Sequence, residues 1–236
     1  MISVIIPTLN SSETLTETFA SLISPTLSGL VREVIVSDGG SNDETTAIAE
    51  AAGATVISGE KGRGGQLKRG AAAAKGSWLL FLHSDTELET GWDREVGPLV
   101  ERASAGEAQR GVPPDGRFGA AFRFQLADHT GRARFLERIV ACRCAAFKLP
   151  YGDQGLLISR EFYDEVGGFG DMAMMEDIDL VRRIGRRRMV MLRSAATTSA
   201  KRYKTDGYFV RVMKNSLIVA LWLARVPTSV LVRIYG

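Results

Sequence analysis

Apolar and polar positions follow two rhythms along the first third of the chain. Ile2-Ser-Val-Ile-Ile6 is a β-branched run stopped by Pro7, and Glu33-Val-Ile-Val-Ser37 is a second, stopped by Asp38-Gly-Gly40. Ala54-Thr-Val-Ile57 and Trp78-Leu-Leu-Phe-Leu82 are two more short apolar runs, so four buried strands are expected. Between them the spacing turns helical. From Ser12 onward the apolar positions are Leu15, Phe19, Leu22 and Ile23; Asp43 is a good cap for an alanine-rich run to Ala52; a third helix runs from roughly Gly65 to Lys75. Strands and helices in alternation predict a doubly wound, Rossmann-like α/β sheet, mostly parallel and flanked by helices, with ligands at the carboxyl ends of its strands.

Beyond Glu89 the pattern loosens. It predicts a helix near 91–105, a loop at Gly111-Val-Pro-Pro-Asp-Gly116, an alternating strand from Phe118 to Phe124, a helix from Glu176 to Arg187 and a strand from Met189 to Leu192. No internal repeat or low-complexity linker interrupts it, so residues 1–205 are expected as one domain and 206–236 as a C-terminal helical segment. That segment, Tyr208 to Tyr235, is apolar with scattered Arg and Lys, and its longest uncharged stretch, Asn215 to Ala224, is too short to span a bilayer. A pair of amphipathic helices broken at Pro227 would either lie in a membrane surface or pack on the core.

Composition narrows the class. With 236 residues, 45% apolar and 24% charged, the chain suits one large α/β domain. Cys142 and Cys144 provide neither a disulfide framework nor a four-ligand zinc set, and the amino terminus carries no basic leader or long apolar run, so a cytoplasmic protein with reduced thiols is expected. The net charge of +3 is unevenly spread: from Arg182 onward thirteen Lys/Arg face one acid, Asp206, for +12, leaving −9 on the rest. The basic tail is either a solvated surface or one that meets something anionic, such as the inner face of a membrane. It has no recognisable nucleic-acid reading motif, so no nucleic-acid partner is expected.

Chemistry-bearing residues gather where the predicted strands end. Asp38-Gly-Gly-Ser-Asn-Asp43 places a carboxylate before glycines that admit a ligand, suited to a nucleobase or ribose hydroxyl, or equally to a turn with a helix cap. Gly62-Arg-Gly-Gly-Gln-Leu-Lys-Arg-Gly70 brings glycines and basic side chains to a helix start, a setting for phosphates, with Gly64, Gln66 and Lys68 as its candidates. It is neither a G-x-G-x-x-G fingerprint nor a Walker A loop, which disfavours dehydrogenases and P-loop enzymes. His83-Ser-Asp85 closes the fourth strand. Asp85 suits a hard divalent cation or a cap, and His83 a ribose, a metal or the backbone. Farther on, Tyr151-Gly-Asp-Gln-Gly155 and Met175-Glu-Asp-Ile-Asp-Leu180 hold acids, of which some cap a helix and one can serve as a general base.

Ser3-Val-Ile-Ile-Pro-Thr-Leu-Asn10, Val36-Ser-Asp-Gly-Gly-Ser-Asn-Asp43, Phe81-Leu-His-Ser-Asp85 and Met175-Glu-Asp-Ile-Asp-Leu180 resemble, in order and spacing, the motifs of glycosyltransferase family 2 with its GT-A fold. The resemblance implies inverting transfer of a sugar, a hexose as the expected case, from a nucleotide-diphospho-sugar to an acceptor hydroxyl, assisted by Mg²⁺ or Mn²⁺. It makes Asp38 the nucleoside-binding acid, with Pro7 and Thr8 lining the nucleotide site, Asp85 the metal ligand, and Asp177, beside Glu176, the catalytic base. Asp153 and Gln154 correspond to the region near sugar and acceptor, and Arg202 or Lys201 to a diphosphate contact. His83 stands where the family often has the first acid of D-x-D, and Ser11 and Ser12 stand where many members carry acids. Gly-Arg-Gly-x-Gln-Leu, F-L-H-x-D-T and P-Y-G-D-Q-G further resemble a subgroup of small bacterial members, some of them labelled arsenosugar-biosynthesis transferases. Competing readings are a sugar-phosphate nucleotidyltransferase, which pyrophosphate release would reveal, and a non-catalytic nucleotide-sugar binding module.

Overall fold

The computed structural model of the chain describes residues 1–107, 111–113, 115–172 and 174–235; for 202, 229 and 235 only the backbone is described. The expected loop at 111–116 therefore lies partly outside the described residues. The first half runs β1 (Ile2–Thr8), α1 (Leu15–Ala20), α2 (Ile23–Leu27), β2 (Val31–Asp38), α3 (Thr45–Ala51), β3 (Thr55–Ser58), α4 (Arg63–Ala73) and β4 (Trp78–Phe81). Then come β5 (Thr86–Leu88), α5 (Asp93–Ser104), β6 (Gly119–Leu126), α6 (Gly131–Phe147), a 3-10 turn (Gly152–Gln154), β7 (Leu156–Ser159), α7 (Arg160–Glu165) and α8 (Glu176–Ile184). A second 3-10 turn, β8 (Met189–Thr198), α9 (Lys201–Asp206), α10 (Tyr208–Leu223) and α11 (Thr228–Tyr235) complete the chain.

All eight strands form one sheet in the order β3-β2-β1-β4-β7-β6-β8-β5. The first four are parallel, as the alternating pattern predicts. Past β4 the sheet mixes: β7 runs antiparallel to β4 and β6, β5 antiparallel to β8, and β6 parallel to β8. Every residue of β1 is buried, and its side chains alternate between two cores. Val4 and Ile6 join Leu80, Trp92 and Phe122 on one face, while Ile5 joins Leu79, Leu67 and Ala71 of α4, and Leu180 and Val181 of α8, on the other. Because α4 and α8 share that second face, their amino-terminal ends meet.

The single helix expected after Ser12 divides into α1 and α2. Pro25 has no N–H to give the Ser21 carbonyl, which accepts instead from the Trp92 indole at 3.0 Å. The sequence pattern also passed over β5, β7, α6 and α7, which are short or lack a clean period. The tail forms two helices flanking Pro227, as expected. Tyr208 and Val212 of α10 pack against a small third core made by Leu136, Val140 and Cys144 of α6. Among the described residues no helix is long and apolar enough to cross a membrane.

Candidate active site

Strand register builds the first wall of the site. Thr8 and Asp38 are paired at the ends of β1 and β2, and the Leu82 N–H donates to the Ile5 carbonyl, so His83 to Asp85 leave β4 beside them. Asp38 is 2% exposed and fully engaged. It accepts from Thr8 Oγ1 at 2.9 Å, from the N–H groups of Gly40 and Ser41 at 2.9 and 2.8 Å, and from Ser41 Oγ. Burial raises its pKa, and hydrogen bonds from Ser41, Thr8 and Gly40 outweigh that, leaving the carboxyl below its ordinary value. Asp38 thus holds the Gly39–Ser41 loop in shape as well as standing at the strand end.

The glycine- and arginine-rich stretch is positioned by α4, and three of its candidates are engaged with protein. Gln66 Nε2 donates to the carbonyls of Thr8 and Ser37 at 2.7 and 2.8 Å, pinning together the ends of β1 and β2. Lys68 Nζ pairs with Asp171 at 2.8 Å on the exposed side of α4. A Cβ on Gly64 would lie 2.5 Å from the Gly170 carbonyl, so glycine there serves close packing against the 170–172 loop. Arg63 stands apart from them, since it reaches across to an ion pair with Glu176 at the start of α8. The residue was visible in Gly62-Arg-Gly64, but nothing local names a partner 113 positions away.

The second wall is made by the 3-10 turn and the first turn of α8. Asp177 Oδ2 accepts from the Gly152 N–H at 2.6 Å, and Oδ1 from its own neighbour, the Ile178 N–H, at 2.8 Å. A Cβ on Gly152 would fall 2.7 Å from His83 Nε2 and 3.1 Å from Asp177 Oδ2, so glycine here leaves room for both the imidazole and this carboxylate. The cavity they border, with Pro150, Tyr151, Phe169 and Glu176, has a volume of about 20 Å³, room for one water. Glu176 is entirely buried, and its Oε2 has no hydrogen-bond partner. Burial raises its pKa; the charge of Arg63 opposes this and that of Asp177 adds to it.

Asp153 lies where these charges converge. Its Oδ1 is enclosed without a partner. Burial chiefly pushes its carboxyl up to about 6, with Arg143 and Arg63 opposing and the negative charges of Asp177 and Asp85 reinforcing. Gln154 is buried and donates to the Phe122 carbonyl at 2.9 Å, so it anchors the turn to β6. Arg143 of α6 was not foreseen, because the helix that carries it was not: its guanidinium sits 3.4 Å from the centre of the Tyr151 ring and donates to Gln154 Oε1. The Asp85 carbonyl accepts from the Ser199 N–H, and the Ser84 carbonyl from Thr14 Oγ1, so the loop bearing Asp85 is held from both sides. Lys201 pairs with Glu13 at 2.7 Å, on the exposed surface. Arg202 is in α9; its side chain lies outside the described residues.

His83, Asp85, Asp153, Glu176 and Asp177 therefore share one end of the sheet with Arg63 and Arg143. Among known families, the Glycosyl transferase family 2 model matches residues 3–173. The chain belongs to glycosyltransferase family 2. Over 112 residues it is 42% identical to glucosyl-3-phosphoglycerate synthase of Mycobacterium tuberculosis, covering 42% of this chain and 34% of that protein. The chain thus matches about a third of the length of these curated relatives. Glycosyltransferase AglD of Haloferax volcanii is 35% identical over 116 residues, 45% of this chain and 18% of that one. The crystal structure of the M. tuberculosis synthase with Mn²⁺, uridine diphosphate and glucosyl-3-phosphoglycerate superposes with a TM-score of 0.53 at 26% identity, covering 84% of this chain and 70% of that one. S. aureus TarS shares the fold, with a TM-score of 0.61 at 18% identity over 99% of this chain and 42% of that one. The GT-A architecture of the family accounts for the mixed sheet observed here.

Proposed function

We propose that this protein moves a hexosyl group from a nucleoside-diphosphate sugar to an acceptor hydroxyl with inversion, and that Asp177 is the general base. One observation carries the assignment: Asp177 Oδ2 accepts from the Gly152 N–H, a backbone bond that fixes the carboxylate's direction, and the His83 ring packs close to the same glycine at the carboxyl end of the strands. In the reaction the acceptor oxygen bonds to the anomeric carbon, its proton passes to Asp177, and the bond from that carbon to the diphosphate breaks with its electron pair on the departing oxygen. Thr8 and the loop shaped by Asp38 form the nucleoside side of the pocket. Arg63 and His83 border the space between that side and the base.

The uridine diphosphate in the mycobacterial synthase complexes supports a uridine diphosphate sugar as donor. The donor set here suits a Mg²⁺ or Mn²⁺ ion held chiefly by ligand oxygens. Among the described residues no three His, Cys, Asp or Glu side chains converge as a cage, while the charge of Asp85 acts on Asp153, whose Oδ1 is unpartnered. Asp85 would hold the ion, which when bound neutralises charge on the departing diphosphate. The reading places the protein in the cytoplasm. Of the motifs shared with the arsenosugar-labelled subgroup, two lie at Gly62–Leu67 and Phe81–Thr86 and the third, Pro150–Gly155, beside the proposed base, and none of them identifies the acceptor.

Asp177→Asn tests the base. The variant is expected to keep the thermal stabilisation given by uridine diphosphate with Mn²⁺ and to lose about 10²- to 10⁴-fold in uridine diphosphate release from a uridine diphosphate hexose, with 3-phosphoglycerate among the acceptors offered. Undiminished turnover by the variant would remove Asp177 from that role.

A further inference from the structure

The basic, apolar tail plays no part in the chemistry above, and its surface is unlike the rest of the molecule. Every exposed residue of α10 is uncharged: Phe209, Val210, Met213, Ser216, Leu217, Ala220 and Leu223. Phe209 is 75% exposed, Met213 57% and Leu217 52%, at the four-residue spacing that stacks them in one stripe. The neighbouring α6 repeats the arrangement, with Phe135 65% and Ile139 43% exposed and exposed Cys142 and Ala146 continuing the stripe. Helical geometry sets the exposed Arg132 and Arg138 on either side of it. In α11, Val230, Val232 and Ile234 are exposed beside an exposed Arg233, and Arg225 is exposed in the link before it. The stripes of α6 and α10 belong to helices that pack on each other through a common core.

We infer that the α6–α10–α11 surface docks the protein on an anionic lipid bilayer. An apolar stripe fringed by arginines suits an interface in which rings and aliphatic chains enter the acyl boundary while long basic side chains reach to headgroup phosphates. Charge favours this occupant over a second copy of the chain. Residues 207–236 hold four basic residues and no acid, and α6 holds four arginines and one acid, a net positive charge that opposes pairing of the surface with itself and complements a negatively charged leaflet. Among the described residues no helix is long and apolar enough to span the bilayer, so the docked helices lie on its surface. The docked face is also joined to the catalytic end: Trp222 of α10 sits under the guanidinium of Arg182, 5.3 Å from its ring centre, and α8, which carries Arg182, begins with Glu176 and Asp177.

The test is co-sedimentation of the full chain with vesicles of phosphatidylcholine, alone or with about a quarter phosphatidylglycerol. Binding to the anionic vesicles is expected to be about tenfold tighter than to neutral ones, and to weaken as salt rises well above about 0.1 M. Phe209→Ser/Met213→Ser/Leu217→Ser, changed only at exposed positions, is expected to keep its melting temperature and lose the binding. Arg225→Glu/Arg233→Glu is expected to reduce it severalfold. Equal sedimentation with both vesicle types, or undiminished binding by the serine variant, would overturn the inference. So would light scattering that shows a dimer which the serine variant converts to monomer, because a second copy would then cover the face.

Discussion

The two walls of the cleft treat their carboxylates in opposite ways. On the wall proposed to hold the nucleoside Asp38 accepts four hydrogen bonds and Gln66 gives both amide hydrogens to strand-end carbonyls, and the enclosed group left without a partner at that end of β2 is the hydroxyl of Ser37. On the catalytic wall Asp153 Oδ1 and Glu176 Oε2 are enclosed without partners, and Met175 enters α8 with a φ of 68°, in the left-handed region. Under the proposed function, a wall that only has to hold a nucleoside can have its carboxylate completed by the protein itself. One that takes a proton and faces a charged donor keeps unspent acceptors, and its folding energetics bear the cost.

Breaking the Arg63–Glu176 pair has the largest expected effect on that contrast. Arg63→Ala would leave the Glu176 carboxylate buried at 0% exposure with its charge partner gone, and since the Arg63 side chain is itself 39% exposed the loss is set at about 2–3 kcal/mol by denaturant unfolding. Glu176→Gln, which removes the buried charge instead, is expected to cost less than about 1 kcal/mol; equal losses from the two variants would show that the catalytic wall is not electrostatically loaded. Gln66→Leu examines the wall proposed to hold the nucleoside. It takes this donor from the Ser37 carbonyl and leaves the Thr8 carbonyl with the Gly39 N–H alone, and should cost about 1–2 kcal/mol, with weaker binding of uridine diphosphate as the strand ends loosen.

A smaller effect is expected from pH. The folded carboxyl of Asp153, at about 6, lies above its ordinary 3.8, so the native state takes up that proton more readily than the unfolded chain. The stability this contributes is complete below about pH 3.8 and lost as pH rises through 6. In chelator-treated protein, Asp153→Asn should therefore gain in melting temperature relative to the parent as pH is raised from about 4 to 6.5, by the equivalent of roughly 1–2 kcal/mol, and level off above. A difference that stays constant across that window would place Asp153 outside the charge cluster.

The legibility of the chain divides along the same line. The parallel half could be read because each βαβ unit is local: Val4, Ile5 and Ile6 are apolar in sequence because both faces of β1 are covered, Asp38 ends β2, and His83 comes two residues after β4. The mixed half was largely hidden. Leu156-Leu-Ile-Ser159 is four residues long and becomes a strand by pairing antiparallel to β4, whose partners lie about eighty positions earlier. Helix α6 interleaves exposed Phe135, Ile139 and Phe147 with its buried face, which blurs the amphipathic period. Gln66 and Lys68 are candidate ligand contacts by residue type, and the structure adds the protein groups each of them meets after folding, which composition does not record.

Residue order alone decided the family motifs, the alternation that makes a central parallel sheet, the excess of positive charge in the tail and the break at Pro227, since each depends on neighbours within a few positions. Tertiary structure decided that Gly152 packs close to both His83 and Asp177, that Arg63 clasps Glu176, and that α6 and α10, each with an exposed apolar stripe, pack on each other. Those facts arise from contacts between distant segments, where close packing and the exclusion of water select the partners, and no local pattern records the choice.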